Sequence, residues 1–408
     1  MGNKGYEMTK LIKPTQHAIE KCLEFIKNSK TPTYEDFVAE DIPDNKTVEA
    51  LLLLVKGQKI TDLDMSDIDI PYEEYMLGEL TPGKLIAWTN GVKWPKSVVE
   101  TINPEKMLND AKHPNEMNAL HTNGFTGKNI GIAIIDQRLN CEHPEYADRI
   151  KHYEKVGMWP SSDKDISDYH GSLVAGCSVG RNTGTAPDAD LYYFAANNWV
   201  IQNKFLSGAE KITGTPLKPG HRKYINQAIR RLLEINKTLP ENKKIRFLSC
   251  SWGRPDDQFA DETYKLFAEC EQNGIMVIGG AFFRENMTER IPCDKRFAIK
   301  NKNFIGIPTN GKTTPFHMGG YYYTRNGGSS STFPYLAGVY ACACQGNELF
   351  FTRPNWQDEL DEMLKTTAIE HPVGGKIINP SGIRNRVSEI VKQMEIDLIK
   401  QQASTQHE

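Results

Sequence analysis

The N-terminal region has no long apolar run. Its longest is Leu51–Val55, far short of the roughly 20 residues that a membrane span needs. Met1-Gly-Asn-Lys-Gly-Tyr6 is not followed by the apolar segment of a secretory signal. Tyr6 occupies the place where N-myristoylation requires Ser or Thr. The expectation is a cytoplasmic chain with no membrane partner. The eight cysteines include no CxxC pair and read as reduced, mostly buried thiols. Cys342-Ala-Cys344 sits in an apolar run without a second Cys/His cluster at zinc spacing, so core packing is expected there and no metal. A net charge of −3, with no basic stripe, gives no footprint for nucleic acid. Neither GxGxxG nor a Walker A motif follows a strand, which argues against a nucleotide-binding protein, and no cofactor is expected. Internal repeats and low-complexity linkers are also missing.

What is present divides near residue 100. Residues 1–100 hold 12 Lys, no Arg and 17 Asp/Glu, a charge of −5, whereas the remainder carries +2. Ile19–Ile26 and Val48–Val55 predict short helices, and the acidic Asp62–Asp69 run predicts a solvated loop. That run lacks the central Gly and closing Glu of an EF-hand. A small α+β or helical N-terminal region, 1–100, is therefore expected, followed by a larger α/β domain, 101–408. In the latter, short apolar runs at Asn129–Ile135, Leu191–Ala196, Ile245–Ser249 and Ile275–Ile278 predict buried strands. Tyr224–Asn236 has helical periodicity. Strands alternating with helices imply a mainly parallel sheet whose reactive groups collect at the carboxyl ends of strands.

Three motifs carry chemistry. Asp136 ends the first run, in Ile134-Ile-Asp136-Gln-Arg-Leu-Asn-Cys-Glu-His143-Pro144. His170 opens His170-Gly-Ser-Leu-Val-Ala-Gly176. Ser330 lies in Gly327-Gly-Ser-Ser330-Ser-Thr-Phe-Pro334, a tight turn opening into a helix. Each alone has ordinary structural readings: a nucleotide or Mg²⁺ ligand for the Asp, a packing His, a glycine-rich turn. Together, in the order Asp, His, Ser, they match the order of one kind of nucleophilic triad, with separations of 34 and 160 residues.

On these motifs Gly124–Glu408 resembles the subtilase family, the subtilisin-like serine peptidases. Gly124-Phe-Thr-Gly-Lys-Asn129, Gly184-Thr-Ala-Pro187 and Ser249-Cys-Ser-Trp-Gly253 resemble further segments of that family. The resemblance implies a subtilisin-like three-layer fold, a protein or peptide substrate, and catalysis by Asp136, His170 and Ser330. It also implies a cleft wall formed by Ser251, Trp252 and Gly253. The oxyanion Asn usual in the family is displaced. Simple alignment puts Phe283 in its place, with Asn286 as the substitute donor and Arg284 as another. Gln137-Arg138, Leu173 and Ser331-Thr332 also depart from the family pattern, which implies a divergent branch performing limited or specific proteolysis. The alternative is a pseudoprotease that binds a peptide or partner protease through the inherited cleft. The Gly180–Thr185 turn is short where many relatives have a calcium loop, so no calcium site is expected. Asn197–Arg222 reads as an insertion in which Trp199, Lys204 and Phe205 could shape specificity or merely cover surface. Residues 1–100 resemble no known propeptide beyond Asp69-Ile-Pro71-Tyr72, which is similar to a short inhibitory motif. Both a cleavable or inhibitory prodomain and a retained accessory domain stay open, as does the oligomeric state.

Overall fold

The computed structural model describes residues 11–37, 44–57, 59–78, 80–157, 169–196, 223–252, 258–279, 288–292, 305–325, 328–372 and 374–405. The chain divides into two compact units, one comprising 1–113 with 310–327, the other 114–309 with 328–408.

The first unit is α+β. Its helices are α1 (Gln16–Lys27), α2 (Asn45–Gly57), α3 (Tyr72–Leu77), α4 (Lys96–Ile102) and α5 (Pro104–Asp110). Thr15 caps α1 by accepting from the Ala18 amide, as the orphan donors of a first turn require. Ala18, Ile19, Cys22 and Leu23 recur at helical spacing and are buried with Val48, Leu51 and Leu54 of α2. The strands β1 (Lys59–Ile60) and β2 (Ala87–Thr89) join a hairpin, Lys312–Pro315 and Tyr321–Thr324, in one four-stranded sheet. The boundary expected near residue 100 thus differs from the observed division. Sheet pairing draws in a hairpin from more than two hundred residues away, and sequence periodicity carries no record of long-range pairing. The acidic run is also less solvated than expected. Leu63, Asp64, Met65 and Ile68 are buried, and the Asp64 carboxylate accepts from Ser66 and pairs with Lys93 at 3.2 Å. Ile70 of the Asp69–Tyr72 motif is buried in the same core, and Pro71 opens α3.

The second unit contains a five-stranded, wholly parallel sheet. Its strands are β3 (Gly131–Asp136), β4 (Ile150–Val156), β5 (Asp190–Ala196), β6 (Ile245–Cys250) and β7 (Met276–Gly279), in the order β4-β5-β3-β6-β7. The apolar runs read as strands because the central ones are covered on both faces. Along β3, Ile132 and Ile134 enter one core, and Ala133 and Ile135 enter the other. The first core holds α6 (Tyr169–Val179), α9 (Thr332–Cys344), and parts of α10 (Trp356–Thr366) and α11 (Pro380–Thr405). The second holds α7 (Lys223–Thr238) and α8 (Ala260–Gln272). Helix, sheet and helix make the three layers. Cys342 and Cys344 are buried in α9, and burial pushes both thiols well above their ordinary pKa.

Candidate active site

Parallel strands present their carboxyl ends on one edge, and the chemistry-bearing residues gather there. Asp136 is the last residue of β3, buried at 7% exposure. Its Oδ1 accepts the Gln137 amide at 2.7 Å and lies 2.6 Å from Nδ1 of His170. A buried carboxylate is costly without such partners.

His170 is the second residue of α6 and is half-buried. Its place depends on Gly171. A Cβ there would lie 2.5 Å from the Arg138 carbonyl oxygen and 2.7 Å from both the Gln137 carbonyl and the Tyr193 hydroxyl. Only glycine lets the helix start press this closely on the loop after β3. Tyr193 donates to the Gln137 carbonyl at 2.5 Å, fixing that loop from the neighbouring strand. Burial is the largest influence on His170 and opposes its charging. The charge of Asp136 and the hydrogen bond to it together outweigh burial, so the imidazole pKa is raised above its ordinary 6.5.

The far end of α6 is held by Glu145, which is buried. Its carboxylate accepts from the Asn182 amide (2.8 Å), Asn182 Nδ2 (2.7 Å) and the Thr183 amide (3.3 Å). The short Gly180–Thr185 turn is thereby closed by a protein carboxylate. His143 supports Glu145 in turn: its Nδ1 accepts the Glu145 amide at 3.2 Å, and its ring stacks on Tyr146. Tyr146 donates to Ser172 of α6 at 3.0 Å. Sequence reading passed over Glu145, although its place directly after His143-Pro144 was the available signal.

Ser330 occupies a single 3₁₀ turn, Ser329–Ser331, that runs into α9. Close packing seats this helix: at Gly338 a Cβ would fall 2.0 Å from Thr185 Oγ1, which donates to the Tyr335 carbonyl at 2.9 Å. Ser330 and Ser251, just beyond β6, are bonded reciprocally. Ser251 Oγ donates to the Ser330 carbonyl at 2.8 Å, and Ser330 Oγ donates to the Ser251 carbonyl at 3.3 Å. The Ser330 hydroxyl is thereby engaged with the residue that follows β6. The turn at the head of α9 supplies backbone N–H groups beside the serine, where negative charge is favoured.

The remaining expected site residues fare differently. Ser251 supports the backbone of Ser330. Trp252 is half-buried, donates its indole N–H to the Ile135 carbonyl at 3.1 Å and stacks on Phe267 at 5.8 Å. It therefore anchors the end of β3, next to Asp136, rather than presenting its polar edge outward. Gly253, Asn286, Phe283, Arg284 and the Asn197–Arg222 segment lie outside the described residues. Among the described residues, no group of three or more His, Cys, Asp or Glu is placed to hold a metal ion.

Residues 127–283 match the model of the subtilase family. The subtilisin-like protease PopC of Myxococcus xanthus (strain DK1622) is 34% identical over 80 residues, covering 18% of this chain and 17% of PopC. Subtilisin E of Bacillus subtilis (strain 168) is 35% identical over 81 residues, covering 18% of this chain and 20% of its own length. The chain thus spans about a fifth or less of each of these relatives. Among solved structures, the prenylagaramide maturation protease PagA aligns over 67% of this chain and 98% of its own, at 15% identity and a TM-score of 0.46. The family match runs from before β3 through the strand that follows β6, with the Asp-His pair formed within it, so residues 127–283 are similar to the subtilase family.

Proposed function

We propose that the protein is a serine endopeptidase that cleaves peptide bonds through an acyl-enzyme on Ser330. The observation that carries this reading is the 2.6 Å bond between His170 Nδ1 and Asp136 Oδ1. An ionised Asp136 accepts from Nδ1–H, which leaves Nε2 as the basic nitrogen. His170 takes the Ser330 proton as the hydroxyl attacks the substrate carbonyl, then gives it to the leaving amine. Asp136 stabilises the imidazolium formed between these steps, and water repeats the sequence to release the acyl group. The raised His170 pKa supports the imidazolium.

Limited or specific proteolysis is the substrate class we favour. The residues after Asp136 are the large Gln137 and the buried Arg138, which sets this site apart from a general digestive enzyme. A reducing, cytoplasmic location suits Cys22, Cys250, Cys270, Cys342 and Cys344, which are free thiols kept protonated by burial.

The test is reaction of the purified chain with a fluorophosphonate probe, compared with Ser330→Ala. Labelling of the parent alone, at Ser330 by peptide mapping, is the expected outcome. A folded parent that does not label, while binding a peptide in the same cleft, would establish the pseudoprotease reading instead.

A further inference from the structure

Asp136 stands at the carboxyl end of β3, and a cleft of about 600 Å³ lies at the opposite, amino-terminal edge of the same sheet. That volume falls within the range of small-molecule sites, roughly 300–1,000 Å³. Strand register assembles the cleft. Gly131 of β3 lies opposite Asp190 of β5 and Ile245 of β6, and Ile150 of β4 lies opposite Leu191, so the segments leading into four strands meet side by side. Lys128 precedes β3, Arg149 and Lys151 straddle the start of β4, Asp188 and Asp190 lead into β5, and Lys243 precedes β6. At ~3.3 Å per residue, about 17 Å of β3 separates this edge from Asp136. A ligand bound here does not touch the Asp136–His170 pair.

Among the described residues that line the cleft, four are cationic and two anionic. Asp190 is shared by two lysines, with Lys151 Nζ 3.5 Å from Oδ1 and Lys243 Nζ 3.7 Å from Oδ2. Both distances exceed a good hydrogen bond, so these ammonium groups keep donors to offer. Lys243 gives one hydrogen bond to Asn129 Oδ1 at 2.5 Å, which fixes its direction. Lys128 has no ion pair among the described residues and lines the same space. Arg149 differs. Its Nη2 lies 3.2 Å from Asp188 and 3.4 Å from Asp148, and Asp148 is held in turn by Arg181 at 2.7 Å. Its Nε is buried without a partner, so Arg149 presents no free side-on fork of the kind that grips a planar carboxylate. Lysine ammonium groups act as point charges, which suit the several oxygens of a phosphate. Leu239 and Pro240 add an apolar wall. We propose that this cleft binds a small polyanion built on a phosphate chain, free or carried on a nucleoside, between Lys128, Lys151 and Lys243. The site does not depend on the peptidase reading, because none of its residues takes part in that chemistry.

The test is calorimetric titration of the full-length chain with inorganic tripolyphosphate, with a nucleoside triphosphate and with citrate, all at one ionic strength. Saturable binding of a single phosphate ligand per chain, tighter than that of citrate, is expected. The order of the two phosphates shows whether the phosphate chain comes free or on a nucleoside, since only the latter has a group to lie on Leu239 and Pro240. Lys128→Glu and Lys151→Glu, both at exposed side chains, should each weaken binding by roughly 10–100-fold. Asp188→Asn, which takes away a competing carboxylate, should tighten it. Lys392→Glu on α11 changes the net charge by the same amount at an exposed position outside the cleft, and should leave the affinity unchanged. Absence of saturable phosphate binding would overturn the proposal. So would equal affinity for citrate, or a loss in Lys392→Glu as large as in Lys128→Glu. Labelling at Ser330 plays no part in the readout, so this result and that of the peptidase test are read separately.

Discussion

Asp136→Asn probes the site most directly. In the parent, one oxygen, Oδ1, accepts from both His170 Nδ1 (2.6 Å) and the Gln137 amide (2.7 Å). A backbone N–H cannot face an amide N–H₂, so the Gln137 amide selects the carbonyl oxygen of the new asparagine for this position. The tautomer of His170 is then retained, and what is lost is the negative charge. A unit charge about 4 Å from the developing imidazolium interacts by about 4 kcal/mol at an effective dielectric of about 20. At about 1.36 kcal/mol per decade, this is a loss of about 10³-fold in labelling or turnover. It is smaller than the roughly 10⁴-fold known where the same substitution imposes the wrong tautomer. The pH profile should move as well. Burial lowers the His170 pKa and Asp136 raises it, so removing the charge shifts the midpoint to lower pH. The assay is the fluorophosphonate rate constant from pH 5 to 9, with circular dichroism confirming the fold. A rate within tenfold of the parent, or a midpoint that does not fall, would refute the role given to Asp136. A loss well beyond 10³ would refute the argument from the Gln137 amide.

Three further outcomes are expected. In the parent, labelling should increase with pH through a midpoint above 6.5, because the neutral imidazole is the base and its pKa is raised; an inflection below 6.5 contradicts this. Gly171→Ala places a methyl within 2.7 Å of three oxygens, so thermal unfolding should show a loss of about 1–3 kcal/mol. Labelling should slow as well, as His170 is displaced, and a variant as stable and reactive as the parent would show the helix start to be loosely packed. Glu145→Gln sets an amide N–H₂ against donors of Asn182 and Thr183. Loss of charged hydrogen bonds of this kind costs about 1.5–3 kcal/mol, which calorimetry would read as a melting temperature lower by several degrees, and an unchanged one would remove Glu145 from the support of α6.

Much of the second unit was legible in local sequence. A strand buried on both faces must be apolar throughout, so β3, β5, β6 and β7 announced themselves within a residue or two. Asp136, His170 and Ser330 were proposed because nucleophilic catalysis requires those three residue types in some such order, and the structure joins the first two of them. The roles of Trp252 and Glu145 were not legible. Whether an indole faces a cleft or donates to Ile135, and whether a carboxylate is solvated or closes a distant turn, depends on neighbours far along the chain.

Sequence alone determined strands β3, β5, β6 and β7 and the residue types of the candidate triad, because periodicity and chemistry are local properties. Tertiary structure alone decided that the chain of the first hundred residues needs Tyr321–Thr324 to complete its sheet, and that Gly171 and Ser251 hold the surroundings of His170 and Ser330. Backbone pairing and close packing join residues by distance in space, for which spacing along the chain holds no signal.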